Sequence, residues 1–182
     1  ETLAENTSDA VIAPLVLGAL AGPAGLFGYR AANTLDAMVG HRTVRHEHFG
    51  WASARLDDLL NLPGSRLTAL LTVVSAPAVG GRRLDSWQTW RRDAAAHPSP
   101  NAGPVEAAVA GALGVGLGGR TVYRERVELR PELGDGPAPG VQDVERAVRL
   151  ARLTGAQAAL VAAGLAVAVG LRRPPSAAMP IR

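Results

Sequence analysis

From Ala10 to Tyr29 the chain carries no charge for twenty residues. As one straight helix such a run is about 30 Å long, the thickness of a bilayer's hydrocarbon core. Two more uncharged runs follow, Leu67–Gly81 of fifteen residues and Leu153–Leu171 of nineteen. The last, bounded by Arg152 and by Arg172 and Arg173, is the clearest transmembrane segment. Leu67–Gly81 reaches spanning length by joining Leu59–Arg66, which leaves Arg66 near an end, where an arginine can snorkel. Pro14, Pro23 and several glycines argue against a straight helix over 10–29. A broken or re-entrant segment is tolerated there if the freed backbone groups face protein or water. The expected fold is therefore all-α: a polytopic helical membrane protein with broken or re-entrant segments, candidate membrane segments being 10–29, 59–81 and 153–171.

The remaining stretches read as connections. Arg30–Asp58 is a polar connection ending in an amphipathic turn, 54–60. Ser86–Trp90 carries two Trp, as an interfacial helix does. Val105–Gly119 is short, small and Gly-rich, a non-spanning or short segment. Its Gly114-x-Gly116-x-x-Gly119 has the letters of a dinucleotide fingerprint, but no strand precedes it and 120–129 reads as strand. Close packing through small residues is the better reading. Thr121–Leu129 predicts a small hairpin insert, Pro131–Gly140 a loop, and Asp143 a helix cap. Counting Arg in loops makes 82–152 cytoplasmic. That separates the N-terminal polar clusters from residues 97–103 unless one apolar run is re-entrant, and the topology stays open.

Composition excludes several chemistries. There is no Cys, hence no disulfide, thiolate nucleophile or Cys-based zinc site. All nineteen basic residues are Arg, so no Walker loop with its Lys exists. Net charge is only +3 and aromatics make up 4%, with no basic stripe alternating with aromatics, which argues against nucleic acid as a partner.

Two polar clusters flank the first apolar run: Glu5-Asn6-Thr7-Ser8-Asp9, and Asn33-Thr34-Leu35-Asp36. Polar groups so close to lipid cost free energy. They either end a membrane helix or build a site. Glu5 and Asp9 are four apart and share a face on a helix.

The stretches AENTSDAVIAPL (4–15), NTLDAMVGH (33–41), HPSPNAG (97–103), EAAVAGALGV (106–115) and LGG…Y…RVELRPELG (117–134) occur in that order. Together they resemble the CobD/CbiB family, also called adenosylcobinamide-phosphate synthase. The resemblance covers nearly the whole chain, and five ordered motifs are far more specific than one. Family members are longer and begin upstream, so residues 1–182 read as a single membrane domain lacking its N-terminal part.

The resemblance implies a multi-pass protein of a bacterial cell membrane, acting in cobalamin biosynthesis as a carbon–nitrogen ligase. It implies corrinoid substrate: adenosylcobyric acid, joined through a propionate carboxylate to aminopropanol or its phosphate. ATP and Mg²⁺ are the expected cofactors, and other cobalamin-assembly membrane enzymes the expected neighbours. A carboxylate does not condense with an amine unaided at neutral pH. It must be activated, phosphate charge must be neutralised, and the amine must lose a proton. Under this reading Glu5 and Asp9 serve as general base or metal ligands, with Asn6, Thr7 and Ser8 as hydrogen-bonding partners. Asn33, Asp36 and His41 form a second group, in which His41 takes an amine proton or holds phosphate. Ser99 and Asn101 orient substrate amides, Glu106 opens the next helix beside them, and Tyr123 and Glu128 touch the corrin edge. Arg42 and Arg120 are candidate phosphate partners, although in so Arg-rich a chain each reads more simply as a solvated or interfacial charge. The bland alternatives are helix caps for Glu5 and Asp9, and ordinary loop histidines at 41, 46 and 48. Two other functions compete: a transporter or channel subunit with a buried ion path, and a soluble helical scaffold.

Overall fold

The computed structural model describes residues 1–40, 50–123 and 126–172, without the side chains at 121–123, 126–128 and 172. His41, Arg42, His46 and His48 lie outside the described residues.

The first apolar run folds back on itself. Helix α1 (Thr2–Asn6) passes through a π turn, Thr7–Ile12, into α2 (Ala13–Leu35), and a second π turn, Asp36–Gly40, follows. Within α2, Gly22 has φ 66° and ψ −155°, a region essentially closed to residues with a Cβ. Pro23 comes next and lacks the N–H that would carry the helix on. Beyond this break the chain returns: the Tyr29 hydroxyl donates to the Asp9 carbonyl at 2.8 Å. A straight helix would hold those residues about 30 Å apart. The limbs touch closely near the tip, where a Cβ on Gly18 would meet Leu26 Cβ at 3.7 Å and one on Gly25 would collide with the Leu17 carbonyl. Thr2–Gly40 is therefore long and apolar enough to cross a membrane, yet it does not cross. It is a re-entrant hairpin whose two polar ends lie at one level.

Two other helical stretches are long and apolar enough to cross: Trp51–Val79, made of α3 (Trp51–Ser75) and a 3-10 turn (Ala76–Val79), and Val141–Leu171 within α6 (Val141–Arg172). The segments expected at 59–81 and 153–171 fall within them, apart from Gly80 and Gly81, which follow the 3-10 turn. α3 begins inside the polar connection expected over 30–58, so Arg55, Asp57 and Asp58 ride on it. Its interior face is polar: Asp57, Asn61, Ser65, Thr68, Thr72 and Ser75 are all buried, while Leu59 and Leu70 are exposed. On the hairpin and α6, Phe27 and Leu160 are 70% and 75% exposed. Polar groups inside and large apolar groups outside suit hydrocarbon as the surrounding solvent.

Between α3 and α6 lie α4 (Arg83–Asp93), a 3-10 turn (Ala94–Ala96), α5 (Ala102–Leu113) and an antiparallel pair, β1 (Leu117–Tyr123) and β2 (Arg126–Leu133). α5 has twelve residues, about 18 Å, too few to cross. It is enclosed by protein along almost its whole length. α4 packs on it through small residues: Ser86 Oγ donates to the Ala108 carbonyl at 2.8 Å, and a Cβ on Gly111 would stand 2.7 Å from Ser86 Cα. The outer side of α4 carries Trp87 and Trp90, edge to face at 5.2 Å. Ala76, Val79, Leu113, Val115 and Leu150 form one apolar core, and Ile12, Val16, Leu71 and Ala158 another.

Two local expectations change, and the rejection of a dinucleotide fingerprint holds. β2 runs to Leu133, so the Pro-rich loop starts at Gly134. Asp143 is the third residue of α6 rather than its cap, and its Oδ2 accepts from the Gly140 N–H at 2.9 Å, the returning half of a capping box. The glycine motif closes a helix and opens a strand: Gly114 caps α5 at φ 68°, and Gly118 and Gly119 in β1 have φ 85° and 73°. That is the reverse of the strand–turn–helix order a dinucleotide site needs.

Candidate active site

The hairpin's two ends dock side by side on α3. Asn61 Nδ2 donates to Asp9 Oδ1 at 2.6 Å, and Asn33 Nδ2 donates to Asp57 Oδ1 at 3.2 Å. Asp57 and Asn61 are one turn apart on α3, so residues 9 and 33 meet it at neighbouring levels. The close approach depends on Gly64, where a Cβ would stand 2.5 Å from Ala13 Cβ. Asp9 and Asp36 both sit in π turns. Such turns are rare and recur at functional sites, because the extra residue re-aims side chains out of helical register. The i→i+5 winding also means that Glu5 and Asp9 are less than a full turn apart, though they stay within electrostatic reach of each other. Asp57 lies within reach of Asp9, Asp36 and Asp58 as well.

The loop before α5 closes the cluster from the other side. Asn101 Nδ2 donates to the Asp58 carbonyl at 2.8 Å, and Asn101 Oδ1 accepts from Ser65 Oγ at 2.8 Å and from Arg66 Nη1 at 3.1 Å. Ser99 Oγ accepts from the backbone N–H groups of Asn101 and Ala102, at 3.3 and 3.1 Å. The polar atoms of Asn101 are thus engaged within the protein, where they pin the loop to α3. The separation that a simple loop count would impose between 97–103 and the N-terminal clusters does not occur, because α4 runs back from the end of α3 and sets the loop against Asp58, Ser65 and Arg66.

Glu106 stands one turn into α5, 1% exposed. Its Oε2 is 4.0 Å from His97 Nε2, and its Oε1 is buried without a hydrogen-bond partner. The Ser99 N–H donates to His97 Nδ1 at 3.1 Å, which assigns the imidazole proton to Nε2, facing Glu106. Burial pushes the Glu106 carboxyl up to about 7 from an ordinary 4.5; Glu5 and Glu1 add repulsion, while Arg130 pulls the other way. Asn61 Oδ1 is a second buried polar atom without a partner.

Glu5, Asp9, Asn33, Asp36, Ser99, Asn101 and Glu106 are thus joined by this network or lie within its electrostatic reach. Ser8 is buried beside Asp9, whereas Asn6 is exposed. Thr7 Oγ1 donates back to the Leu3 carbonyl at 2.7 Å, and the residue lines a cavity of about 140 Å³ between α1, α3, α5 and α6. Tyr123 and Glu128 stand on the β pair, their side chains outside the described residues. Among the described residues, no three His, Asp or Glu side chains converge as a metal cluster. Sequence reasoning missed Tyr29, Asp57, Asn61, Ser65, Arg66 and His97. A signal for α3 was present: Asp57, Asn61 and Ser65 recur at four-residue spacing, which marks one helix face.

A protein-family model described as CobD/Cbib protein matches residues 1–151. Relatives named cobalamin biosynthesis protein CobD include that of Mycobacterium tuberculosis, 54% identical over 174 residues, covering 96% of this chain and 55% of the relative. The Rhodobacter capsulatus protein is 49% identical over 168 residues, covering 92% and 52%, and that of Geobacter metallireducens 52% identical over 135 residues, covering 74% and 42%. The chain spans about half the length of the curated relatives it matches. No solved structure matches it. The family match extends over the hairpin, α3, α5 and the site they build, and on that ground the chain belongs to the CobD/Cbib family.

Proposed function

We propose that the full-length protein acts in cobalamin biosynthesis as an ATP-dependent amide ligase of a bacterial cell membrane. It joins a propionate carboxylate of adenosylcobyric acid to aminopropanol or its phosphate. The observation that carries this reading is the meeting of polar motifs from four distant stretches at one place: 5–9, 33–36, 57–66 and 97–106. Burying so many carboxylates and amides side by side is costly unless a ligand uses them.

Glu5 and Asp9 are the residues that would hold Mg²⁺, with Asn61 Oδ1 as a further oxygen lacking a partner. A set of two carboxylates and an amide fits this ion, which keeps most of its shell as water and phosphate oxygens. Bound Mg²⁺ and ATP supply the phosphoryl group that activates the carboxylate and the charge that offsets its oxygens. Asn61 fixes Asp9 through Oδ1, and Tyr29 fixes the same residue through its carbonyl, so the carboxylate is oriented before substrate arrives. A carboxylate of this cluster accepts the proton that the attacking amine must lose. Asn33 holds Asp57, and Asn101 holds the loop, each keeping one wall of the site in place.

The transport reading has less support. The polar ends of the hairpin lie at one level, and the chain turns back at Gly22 instead of carrying polar groups across. The test is complementation of a bacterial strain blocked at cobyric acid amidation, with the full-length gene, followed by detection of the amide by mass spectrometry. Restored growth with amide product is expected. Purified full-length protein that turns over no cobyric acid with ATP, Mg²⁺ and either amine would overturn the reading.

A further inference from the structure

Arg66 lies on α3 where the loop before α5 crosses it. Its Nη1 donates to the Pro100 carbonyl at 2.7 Å, to Ser65 Oγ at 2.9 Å and to Asn101 Oδ1 at 3.1 Å. All three acceptors are neutral, and all are met by one nitrogen. They fix the plane of the guanidinium and leave Nε and Nη2 without a partner among the described residues. No described carboxylate is within ion-pair distance, although Asp58 is tied to the same Asn101 through its backbone carbonyl. Arg66 is exposed, and a charge anchored through one nitrogen with no counter-ion of its own is arranged to meet an anion with its free edge.

We propose that Arg66 binds a phosphoryl oxyanion of a soluble polyphosphate on the free edge of its guanidinium. The fork of Nε and Nη2 matches two oxygens of one phosphate, a geometry a lysine cannot offer. The inference rests on the ligase reading for which polyphosphate is used, the tail of the nucleotide. A phospholipid headgroup has the same chemistry. Arg66 is exposed but held by Asn101 and Pro100, on the polar loop that leads to Glu106, which favours the soluble source. Arg120, a candidate phosphate partner in the sequence that reads more simply as a solvated charge, is also exposed, on β1.

The experiment uses the full-length protein in maltoside micelles, which contain no phosphate. Inorganic tripolyphosphate with Mg²⁺ is titrated by calorimetry into wild type, Arg66→Gln, Arg66→Lys and Arg120→Gln. We expect Arg66→Gln to weaken binding at least tenfold, Arg66→Lys to weaken it several-fold, and Arg120→Gln to match wild type. If Arg66→Gln unfolds, Arg66→Lys decides, because it keeps the charge and loses the fork. Wild-type affinity in either Arg66 variant overturns the proposal. So does a wild type that ignores tripolyphosphate but loses retained phosphatidic acid, added to the micelles, on Arg66→Gln; that result assigns the guanidinium to lipid. Amide formation is scored separately. Product with Arg66-independent binding leaves the ligase standing and removes this site, and Arg66-dependent binding without product does the reverse.

Discussion

Replacing Glu106 by Gln should stabilise the protein at high pH, and the size of the effect follows from where the carboxyl sits. Glu106 is enclosed by protein in a helix too short to cross the membrane, with Glu5, Glu1, Arg130 and His97 as the charged or titratable side chains around it. Its carboxyl is moved from 4.5 to about 7. At roughly 1.4 kcal/mol for each tenfold, the folded state loses about 3 kcal/mol when this group ionises. Between pH 4.5 and about 7 the folded protein keeps a proton that the unfolded chain has released. Its stability therefore falls as pH rises through that window and levels off above it. Glu106→Gln keeps the shape, removes the titration and cancels that slope. Thermal unfolding of the full-length protein, followed by circular dichroism at pH 4.5, 6, 7 and 8, reads the difference. At pH 4.5 the two proteins should melt within a degree or two of each other. At pH 8 the variant should melt higher by several degrees, at most roughly 6–12 °C, since each kcal/mol shifts Tm by about 2–4 °C in a chain of 150–250 residues and by less in a longer one. A variant less stable than wild type at pH 8, or a gap that does not change with pH, would refute the reasoning. It would mean that His97 and Arg130 hold the ionised carboxylate well enough to offset its burial.

The chain has no Cys, so single cysteines report topology cleanly: Asn6→Cys and Thr34→Cys should react with a membrane-impermeant maleimide from the same side of sealed vesicles, and labelling from opposite sides would exclude the hairpin. Gly64→Ala should push the hairpin off α3, because its Cβ would stand 2.5 Å from Ala13 Cβ; we expect a loss of about 1–3 kcal/mol in thermal stability, against less than half of that for Gly164→Ala, whose Cβ meets nothing. Asp9→Asn should lower amide formation by the full-length protein at least a hundredfold with unchanged membrane insertion, and adding Glu5→Gln should cost little more, since parts of one unit do not add. Two losses that simply multiply would separate Glu5 from Asp9.

Much of this architecture was legible, for identifiable reasons. Uncharged runs report themselves, and Pro14, Pro23 and the glycines of 10–29 forecast a broken segment. The place and sense of the break were not readable, because several Gly and Pro compete as the break point and the positive φ at Gly22 is set by how the two limbs pack. Glu5, Asp9, Asn33 and Asp36 stood out because they interrupt apolar sequence. Asp57 and Asn61 did not, since they sit among Arg55, Asp58 and Leu residues that look like an ordinary amphipathic turn. The contact of Asn101 with the Asp58 carbonyl joins residues 43 apart, and nothing local in either stretch announces it. His97 was passed over within its Pro-rich loop because its partner, Glu106, lies on the far side of two prolines and a helix start.

The hairpin has a consequence for the bilayer itself. Each limb between the polar ends and Gly22 holds about a dozen residues, so the tip reaches about 18 Å into a hydrocarbon layer near 30 Å thick. At that depth the break at Gly22 and Pro23 frees carbonyl groups that no helix partner can take, and a Cβ at Gly22 would meet no protein atom within 4 Å. Hydrocarbon cannot satisfy those carbonyls, so water must reach them or a neighbouring segment must cover them. Either way, the tip at Gly22 needs a polar partner that lipid does not supply.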